Sequence, residues 1–301
     1  MKRLLYSLLL LTASAIVFIG CESKGNATLL NNTSASKAIA FDSSRHNKYS
    51  WLTSYEAGNM LLNRIQVPEG YERSKIYMGS FADWLRHLPL LSGNPAVKLY
   101  NKELKNNQTA QFAVLNIDIG NEDLQQCADA VMRLKAEYHY SKKEFSKIHF
   151  NFTNGDNATY SKWIEGYRPI LKGNKVSWTK TAQKDSSYKN FKAYLRQVFM
   201  YAGTSSLSKE LLTIPKETIQ AGDVFIHGGF PGHAVIVLDI AFNEKTEEKI
   251  FIIAQSYMPA QDIHILKNPL VEKSPWYSIK FETSLETPEW TFEPTEAKRF
   301  K

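Results

Sequence analysis

The chain has 301 residues, of which 43% are hydrophobic and 12% aromatic, and its formal net charge is +7 at pH 7. It contains no internal repeat and no low-complexity run, and its aromatic-rich body is long enough for a large globular domain. Acidic and basic residues are mixed, with no basic stripe interleaved with aromatics, which argues against nucleic-acid binding.

The start of the chain has the pattern of a bacterial lipoprotein signal. Residues 2–3 are basic and residues 4–19 are almost entirely apolar. The sequence Phe18-Ile19-Gly20-Cys21 then resembles a lipobox, whose cysteine is acylated and becomes the new N-terminus. We therefore predict that residues 1–20 are a signal peptide and that the lipidated Cys21 binds a membrane of the bacterial cell envelope, with the protein facing the periplasm or the cell surface. An uncleaved anchor helix is the alternative interpretation.

Two further segments follow the predicted signal. Residues 21–49 are small and polar, a composition that cannot bury a core, and we predict a flexible tether. We interpret residues 50–301 as one globular domain with an N-terminal tether. Ser80 begins a short predicted helix over 81–86, which ends before Pro89.

The strongest helix signal lies near the middle of the chain, after a predicted strand at 113–119. Asp123 and Gln126 have capping-box spacing, which predicts a helix that starts near Asp123. The apolar face of this helix is formed by Leu124, Cys127, Val131 and Leu134. Cys127 is therefore expected in or just after the first helical turn, pointing toward the core.

Strands and a second helix are predicted downstream. Residues 147–180 alternate aromatic and polar residues, which indicates strands and loops around the turn 154–156. Residues 188–202 have helical periodicity, with Gly203 as a candidate C-cap. The last third is β-rich and contains two apolar runs, 233–240 and 250–255, whose charged connection indicates a hairpin.

Cys127 is the only cysteine besides the predicted lipid anchor, so it has no partner for an intramolecular disulfide. In an exported protein such a thiol is either buried and inert or retained for chemistry. Thiol catalysis requires an imidazole near the sulfur and a polar group that orients the imidazole. His233 opens one strand of the predicted hairpin and Gln255 ends the other, so in-register pairing brings them together. This pattern predicts Cys127 as nucleophile, His233 as base and then acid, and Gln255 as the orienting group.

The same residues carry a resemblance to known enzymes. Gly222-Asp223-Val224-Phe225 followed by Gly232-His233-Ala234-Val235-Ile236-Val237 resembles the hairpin of papain-like NlpC-type and CHAP-type amidases and peptidases. Gln126-Cys127 is similar to the pair that opens the CHAP catalytic helix, and Gln255 falls where these families place a third polar residue. The resemblance covers roughly residues 110–265, and the long stretch between Cys127 and His233 implies a large insertion.

The resemblance implies an α+β fold in which a catalytic helix packs on an antiparallel sheet. It also implies a membrane-anchored cysteine amidase or peptidase that acts on cell-wall (peptidoglycan) peptides through an acyl-enzyme, without a cofactor. Gln126 becomes a candidate donor to an oxyanion site, through its side chain or the neighbouring backbone N–H.

The whole chain also resembles an uncharacterised lipoprotein family typical of Bacteroides-like bacteria, the domain of unknown function 4846. This family name implies no activity. The segments that carry the resemblance are Leu124-Gln125-Gln126-Cys127-Ala128-Asp129-Ala130-Val131-Met132-Arg133-Leu134, Phe150-Asn151-Phe152-Thr153-Asn154-Gly155, Pro231-Gly232-His233-Ala234-Val235-Ile236-Val237 and Ala254-Gln255-Ser256-Tyr257-Met258-Pro259-Ala260-Gln261-Asp262.

Two alternatives remain open at the level of sequence. A cysteine on an apolar helix face is also typical of a small core residue, which would make the protein a non-catalytic binding or structural lipoprotein on the same scaffold. His227, His233, Asp262 and His264 offer ligands for zinc, but the sequence has no short spacing typical of a zinc site, so no metal is predicted.

Overall fold

A nine-stranded antiparallel sheet is the centre of the part of the chain that the computed structural model describes, residues 49–301. The predicted signal peptide, Cys21 and all of the predicted tether except Tyr49 lie outside these residues. The α-helices are α1 (Leu61–Arg64), α2 (Phe81–Arg86), α3 (Cys127–Ser141), α4 (Tyr160–Ile164), α5 (Tyr188–Tyr201) and α6 (Thr204–Glu210). The strands are β1 (Glu72–Arg73), β2 (Gln111–Val114), β3 (His149–Asn151), β4 (Asn157–Thr159), β5 (Tyr167–Lys172), β6 (Lys175–Lys180), β7 (Leu212–Thr213), β8 (Val224–His227), β9 (His233–Asn243), β10 (Glu248–Gln255), β11 (His264–Leu266), β12 (Trp276–Ser278), β13 (Leu285–Glu286), β14 (Thr291–Phe292) and β15 (Ala297–Arg299).

The predicted α+β class is confirmed, because helices pack against an antiparallel sheet. The main strand order is β2-β11-β10-β9-β8-β15-β7, with β1 beside β9 and β12 beside β10. Three smaller antiparallel pairs, β3–β4, β5–β6 and β13–β14, lie outside this sheet. Among residues 49–301, no helix combines the length and the apolar character that crossing a membrane requires.

Strand β9 is apolar on both of its faces because both faces are covered. Ala234, Ile236 and Leu238 pack in a core cluster that contains the buried side of α3. Val235 and Val237 alternate with them and pack in a second cluster on the other side. The continuous apolar run that marked this strand in the sequence is therefore the run expected of a strand buried on both faces.

The start of α3 differs from its prediction. The helix begins at Cys127, with Gln126 as the N-cap residue. Oδ2 of Asp129 accepts a hydrogen bond from the backbone N–H of Gln126 over 3.0 Å, so the acidic residue of the cap is Asp129. Asp123 lies before the helix, where Oδ1 accepts from the backbone N–H of Ala260 over 2.7 Å. The predicted start near Asp123 was wrong because the carboxylate of Asp123, although it has the spacing of a cap, binds the backbone of Ala260 across the fold instead.

The other predicted helices form within a residue of their expected ends. Ser80 caps α2, since its Oγ accepts from the N–H of Asp83 over 3.1 Å. Helix α5 ends at Tyr201, with Ala202 as its C-cap residue. Gly203 precedes α6 as its N-cap residue, so the predicted C-cap role of Gly203 was wrong.

Asp239 attaches two peripheral elements to the centre of the sheet. Its carboxylate is fully buried in β9. Oδ2 accepts from Nε of Arg73 in β1, and Oδ1 accepts from Nε of Arg86 in α2, each over 2.7 Å. Two guanidinium groups therefore share the charge of one buried carboxylate, which is the arrangement that makes such a charge tolerable away from water.

Candidate functional site

Cys127 is held at one end of the sheet by contacts made just before the helix. The buried hydroxyl of Ser256, which directly follows β10, lies 3.0 Å from the carbonyl oxygen of Gln125 and 2.8 Å from that of Gln261. Together with the bond from Ala260 to Asp123, this contact joins the start of α3 to the segment that follows Gln255. The helix N-terminus and the end of β10 are thereby kept at one place.

The sulfur of Cys127 faces backbone donors, and the residue is partly buried. Burial, together with the charge of Asp129, raises the pKa of its thiol to about 11. The backbone N–H groups of Ala128, Ala234 and Cys127 itself oppose this rise because they hydrogen-bond to the thiolate. The thiol is therefore protonated at neutral pH. The contact with Ala234 places the thiol beside the backbone of the residue that directly follows His233.

His233 is the first residue of β9 and is 1% exposed. In the hairpin, Ala254 pairs with Ile236, which puts Gln255 diagonally across from His233 on the same face of the sheet. Oε1 of Gln255 lies 2.8 Å from Nε2 of His233. An amide oxygen only accepts hydrogen bonds, so Nε2 carries the proton and Nδ1 has the free lone pair.

The orientation of the Gln255 amide is fixed by a carboxylate that the sequence did not indicate. Nε2 of Gln255 donates to Oε2 of Glu289 over 2.7 Å and lies 3.3 Å from Nε2 of His264. Nδ1 of His264 faces the carbonyl oxygen of Asp262 over 2.8 Å, so Nε2 of this buried ring is an acceptor. Both amide protons of Gln255 are thus engaged, and its oxygen has to face His233.

Lys105 completes this polar network. Its ammonium pairs with Glu289 and lies 3.4 Å from Nε2 of His264. Burial lowers the pKa of Lys105, and Glu289 opposes that effect. No sequence signal could have identified Lys105 and Glu289, because the contact joins residues far apart along the chain and neither belongs to a motif.

Burial keeps both histidines of the network neutral. It lowers the pKa of His233 to about 4; the hydrogen bond with Gln255 opposes the shift, and the charge of Lys105 adds to it. Burial also lowers the pKa of His264 to about 3, again with a contribution from Lys105. At neutral pH the imidazole of His233 is therefore an uncharged base with one free nitrogen.

Aromatic rings enclose the imidazole of His233. The ring centroid of Tyr257 lies 4.6 Å from that of His233, and the centroids of Trp290 and Phe292 lie at 5.3 Å and 5.9 Å. Tyr257 is also close to the thiol, since after burial the charges of Glu289 and Cys127 raise the pKa of its phenol. Tyr257 therefore neighbours both predicted catalytic side chains.

The structure brings the predicted residues to one end of the sheet without joining all of them. Gln255 and His233 are hydrogen-bonded, and Cys127 faces the backbone beside His233. Within residues 49–301, no hydrogen bond links the thiol of Cys127 to the ring of His233. Gln126 uses its backbone N–H for Asp129 and one amide proton for Oδ1 of Asp123 over 3.0 Å, so its second amide proton is the donor that remains for a ligand.

A family model described as domain of unknown function (4846) matches residues 61–299 of the chain. The chain belongs to this family. Neither a curated protein nor a solved structure matches it significantly. The matched region of the DUF4846 family contains Cys127, His233, Gln255 and both members of the Lys105–Glu289 pair.

A metal site in this DUF4846 domain has no support from the geometry. Nδ1 of His227 pairs with the carboxylate of Glu296 on the exposed side of β8. His264 is engaged in the network behind His233. Over residues 49–301, no group of three His, Cys, Asp or Glu side chains is arranged to hold a metal ion.

Proposed function

We propose that this DUF4846 protein is a cysteine hydrolase of amide bonds with a papain-like core. Cys127 is the nucleophile, His233 is the general base and then the acid, and Gln255 orients the imidazole. The observation that carries the proposal is the hydrogen bond from Nε2 of His233 to Gln255, which leaves Nδ1 as a base at the end of the sheet where Cys127 begins α3.

The proposed reaction starts from a neutral pair, because the thiol has a raised pKa and the imidazole a lowered one. Nδ1 of His233 takes the thiol proton while the sulfur of Cys127 attacks the amide carbon. The free amide proton of Gln126 stabilises the oxyanion that forms. The imidazolium then gives its proton to the leaving amine, and the C–N bond breaks to yield a thioester.

Water completes the proposed cycle. His233 removes a proton from a water molecule that attacks the thioester carbon, and the C–S bond breaks. The product acid leaves and the thiol of Cys127 is restored. The reaction requires the sulfur of Cys127, which faces the N–H of Ala234, to approach Nδ1 of His233.

The cellular setting is part of the same proposal. Lipidation at Cys21 would bind the protein to a membrane of the cell envelope, and residues 21–49 would tether the domain. Peptides of the cell wall are then the amide substrates within reach.

Purified peptidoglycan incubated with the full chain tests this function. Mass spectrometry is expected to detect new peptide fragments with the wild type and none with Cys127→Ser or His233→Ala. His149→Ala is the matched control, because His149 is a half-exposed histidine on β3 that lies outside the network. The proposal fails if fragments are absent with the wild type or persist with Cys127→Ser.

A second candidate is a non-catalytic binding or structural lipoprotein on the same scaffold. The high pKa of the Cys127 thiol and the lack of a bond between this thiol and His233 in the described residues favour it. In that case peptidoglycan would be retained by the wild type without cleavage, and Cys127→Ser would retain it equally well.

A further inference from the structure

A cavity of about 590 Å³ lies away from Cys127. Lys135, on α3, forms part of its wall. Lys135 follows Cys127 by about two helical turns, which separates their positions by about 12 Å along the helix axis. Gly222 and Asp223, which directly precede β8, form another part of the wall. They lie at the end of β8 opposite to His227.

Lys135 lines this cavity, and its ammonium lies beside two aromatic rings. It lies 4.7 Å from the ring centroid of Phe81 and 5.1 Å from that of Phe300, which are cation–π distances. Within residues 49–301 it makes no hydrogen bond and no salt bridge. Burial, with help from the charge of Lys147 and against that of Glu144, lowers the pKa of Lys135 to about 8. A cation in such surroundings gains from an anionic ligand.

The other basic residues of the wall add to this positive charge. Arg299 is occupied, because its guanidinium binds both carboxylate oxygens of Asp223 over 2.7 Å. Nζ of Lys249 donates to the carbonyl oxygens of Glu217 over 2.5 Å and of Ile219 over 3.3 Å, and neither contact cancels its charge. Lys75 is exposed at the cavity. Since Arg299 neutralises the carboxylate of Asp223, the lysines leave the wall positively charged.

We propose that this cavity binds a small organic anion, with its carboxylate or phosphate on Lys135 and its apolar part against Phe81 and Phe300. Lysine ammonium groups act as point charges and accept either anion. The two rings supply an apolar surface beside the ammonium of Lys135. An organic anion can pack on this surface, whereas an inorganic ion cannot. The site is separate from Cys127 and does not depend on the proposed hydrolase activity.

Calorimetric titration of the full chain tests this site with 1-naphthyl phosphate, 1-naphthoate, inorganic phosphate and uncharged 1-naphthol. At least one naphthyl anion is expected to bind with one-to-one stoichiometry and more tightly than inorganic phosphate and naphthol. Which naphthyl anion binds more tightly distinguishes a phosphate ligand from a carboxylate ligand. The inference is overturned if neither anion binds saturably or if naphthol binds equally well.

Variants locate the binding in this cavity. Lys135→Gln is expected to weaken binding of the tighter anion about tenfold, the loss of one charge-assisted contact. Lys189→Gln is the matched control, because Lys189 is exposed on α5 and does not line the cavity. Cys127→Ser is expected to bind as the wild type does, so failure of the hydrolase proposal leaves this result unchanged. Equal weakening by Lys189→Gln, or none by Lys135→Gln, contradicts the inference.

Discussion

Oε1 of Gln255 accepts a hydrogen bond from Nε2 of His233 over 2.8 Å, and Glu289 fixes the amide that makes this bond. The direction of the bond follows from the carboxylate, because Glu289 accepts from the amide nitrogen and turns the amide oxygen toward the imidazole. The tautomer of His233 is therefore determined by a residue that does not touch it.

Removal of the amide should impair catalysis more than substrate binding. In Gln255→Ala the imidazole loses the acceptor that fixes its tautomer, and we expect kcat to fall by about 10² with KM changed little. Gln255→Asn retains an amide on a shorter side chain and should lie between Ala and the wild type. Kinetics on a fluorogenic peptide amide measures the effect. A rise in KM with unchanged kcat would assign Gln255 to substrate binding instead.

The thiol of Cys127 should react slowly with alkylating agents at neutral pH. Its pKa of about 11 leaves little thiolate, so we expect alkylation at least about tenfold slower than that of free cysteine at pH 7. The rate should rise about tenfold per pH unit up to pH 10 without a plateau. Stopped-flow alkylation measures it, with Cys127→Ser as the blank and urea-unfolded protein as the fast reference. A plateau near neutral pH would indicate a preformed thiolate–imidazolium pair and contradict the neutral-pair mechanism.

The buried histidines should make the fold sensitive to acid. Burial lowers the pKa of His233 from 6.5 to about 4 and the pKa of His264 from 6.5 to about 3. Below pH 6.5 these residues therefore bind protons in the unfolded chain but not in the folded chain. Stability is then lost as the pH falls below about 6.5, by about 3 kcal/mol for His233 down to about pH 4 and by about 5 kcal/mol for His264 down to about pH 3. Urea unfolding at stepped pH measures the loss.

A variant distinguishes the effect of these imidazole rings on stability from that of other titrating groups. His264→Gln removes one buried base and should reduce the slope of stability against pH in that range. His149→Gln is the control, since the carboxylate of Glu210 raises the pKa of His149 and so gives the opposite sign. Equal slopes for His264→Gln and the wild type would show that His264 is not held neutral by burial.

How much of this site the sequence predicts depends on how far apart along the chain the interacting residues are. The β9–β10 hairpin, α2 and α5 follow local periodicity, and the pairing of His233 with Gln255 follows from the hairpin register. The helix start was misplaced because Asp123 binds Ala260 across the fold rather than capping its own helix. Lys105 and Glu289 meet through the tertiary structure alone, so no local pattern identifies them.

The Lys105–Glu289 pair should show the coupling expected of buried ions. Glu289→Gln leaves the ammonium of Lys105 buried without its counter-charge, and we expect a loss of about 3 kcal/mol in the free energy of unfolding. The double variant Lys105→Met/Glu289→Gln removes both charges and should be more stable than Glu289→Gln alone. Chemical denaturation of the four proteins in this cycle measures the coupling. If the losses of the two single variants add up to the loss of the double variant, solvent already screens the Lys105–Glu289 pair.

Asp239 should be among the residues whose loss destabilises the sheet most. In Asp239→Asn the guanidinium groups of Arg73 and Arg86 lose a fully buried carboxylate that each reaches over 2.7 Å. We expect a cost of about 3–5 kcal/mol, because two cations then face each other without an anion between them. Urea unfolding measures the cost, and Glu248→Gln on neighbouring β10 is the control. Within residues 49–301 the carboxylate of Glu248 accepts hydrogen bonds only from the hydroxyl groups of Tyr71 and Ser278. Equal losses in the two variants would mean that β1 and α2 are held to β9 by apolar packing rather than by Asp239.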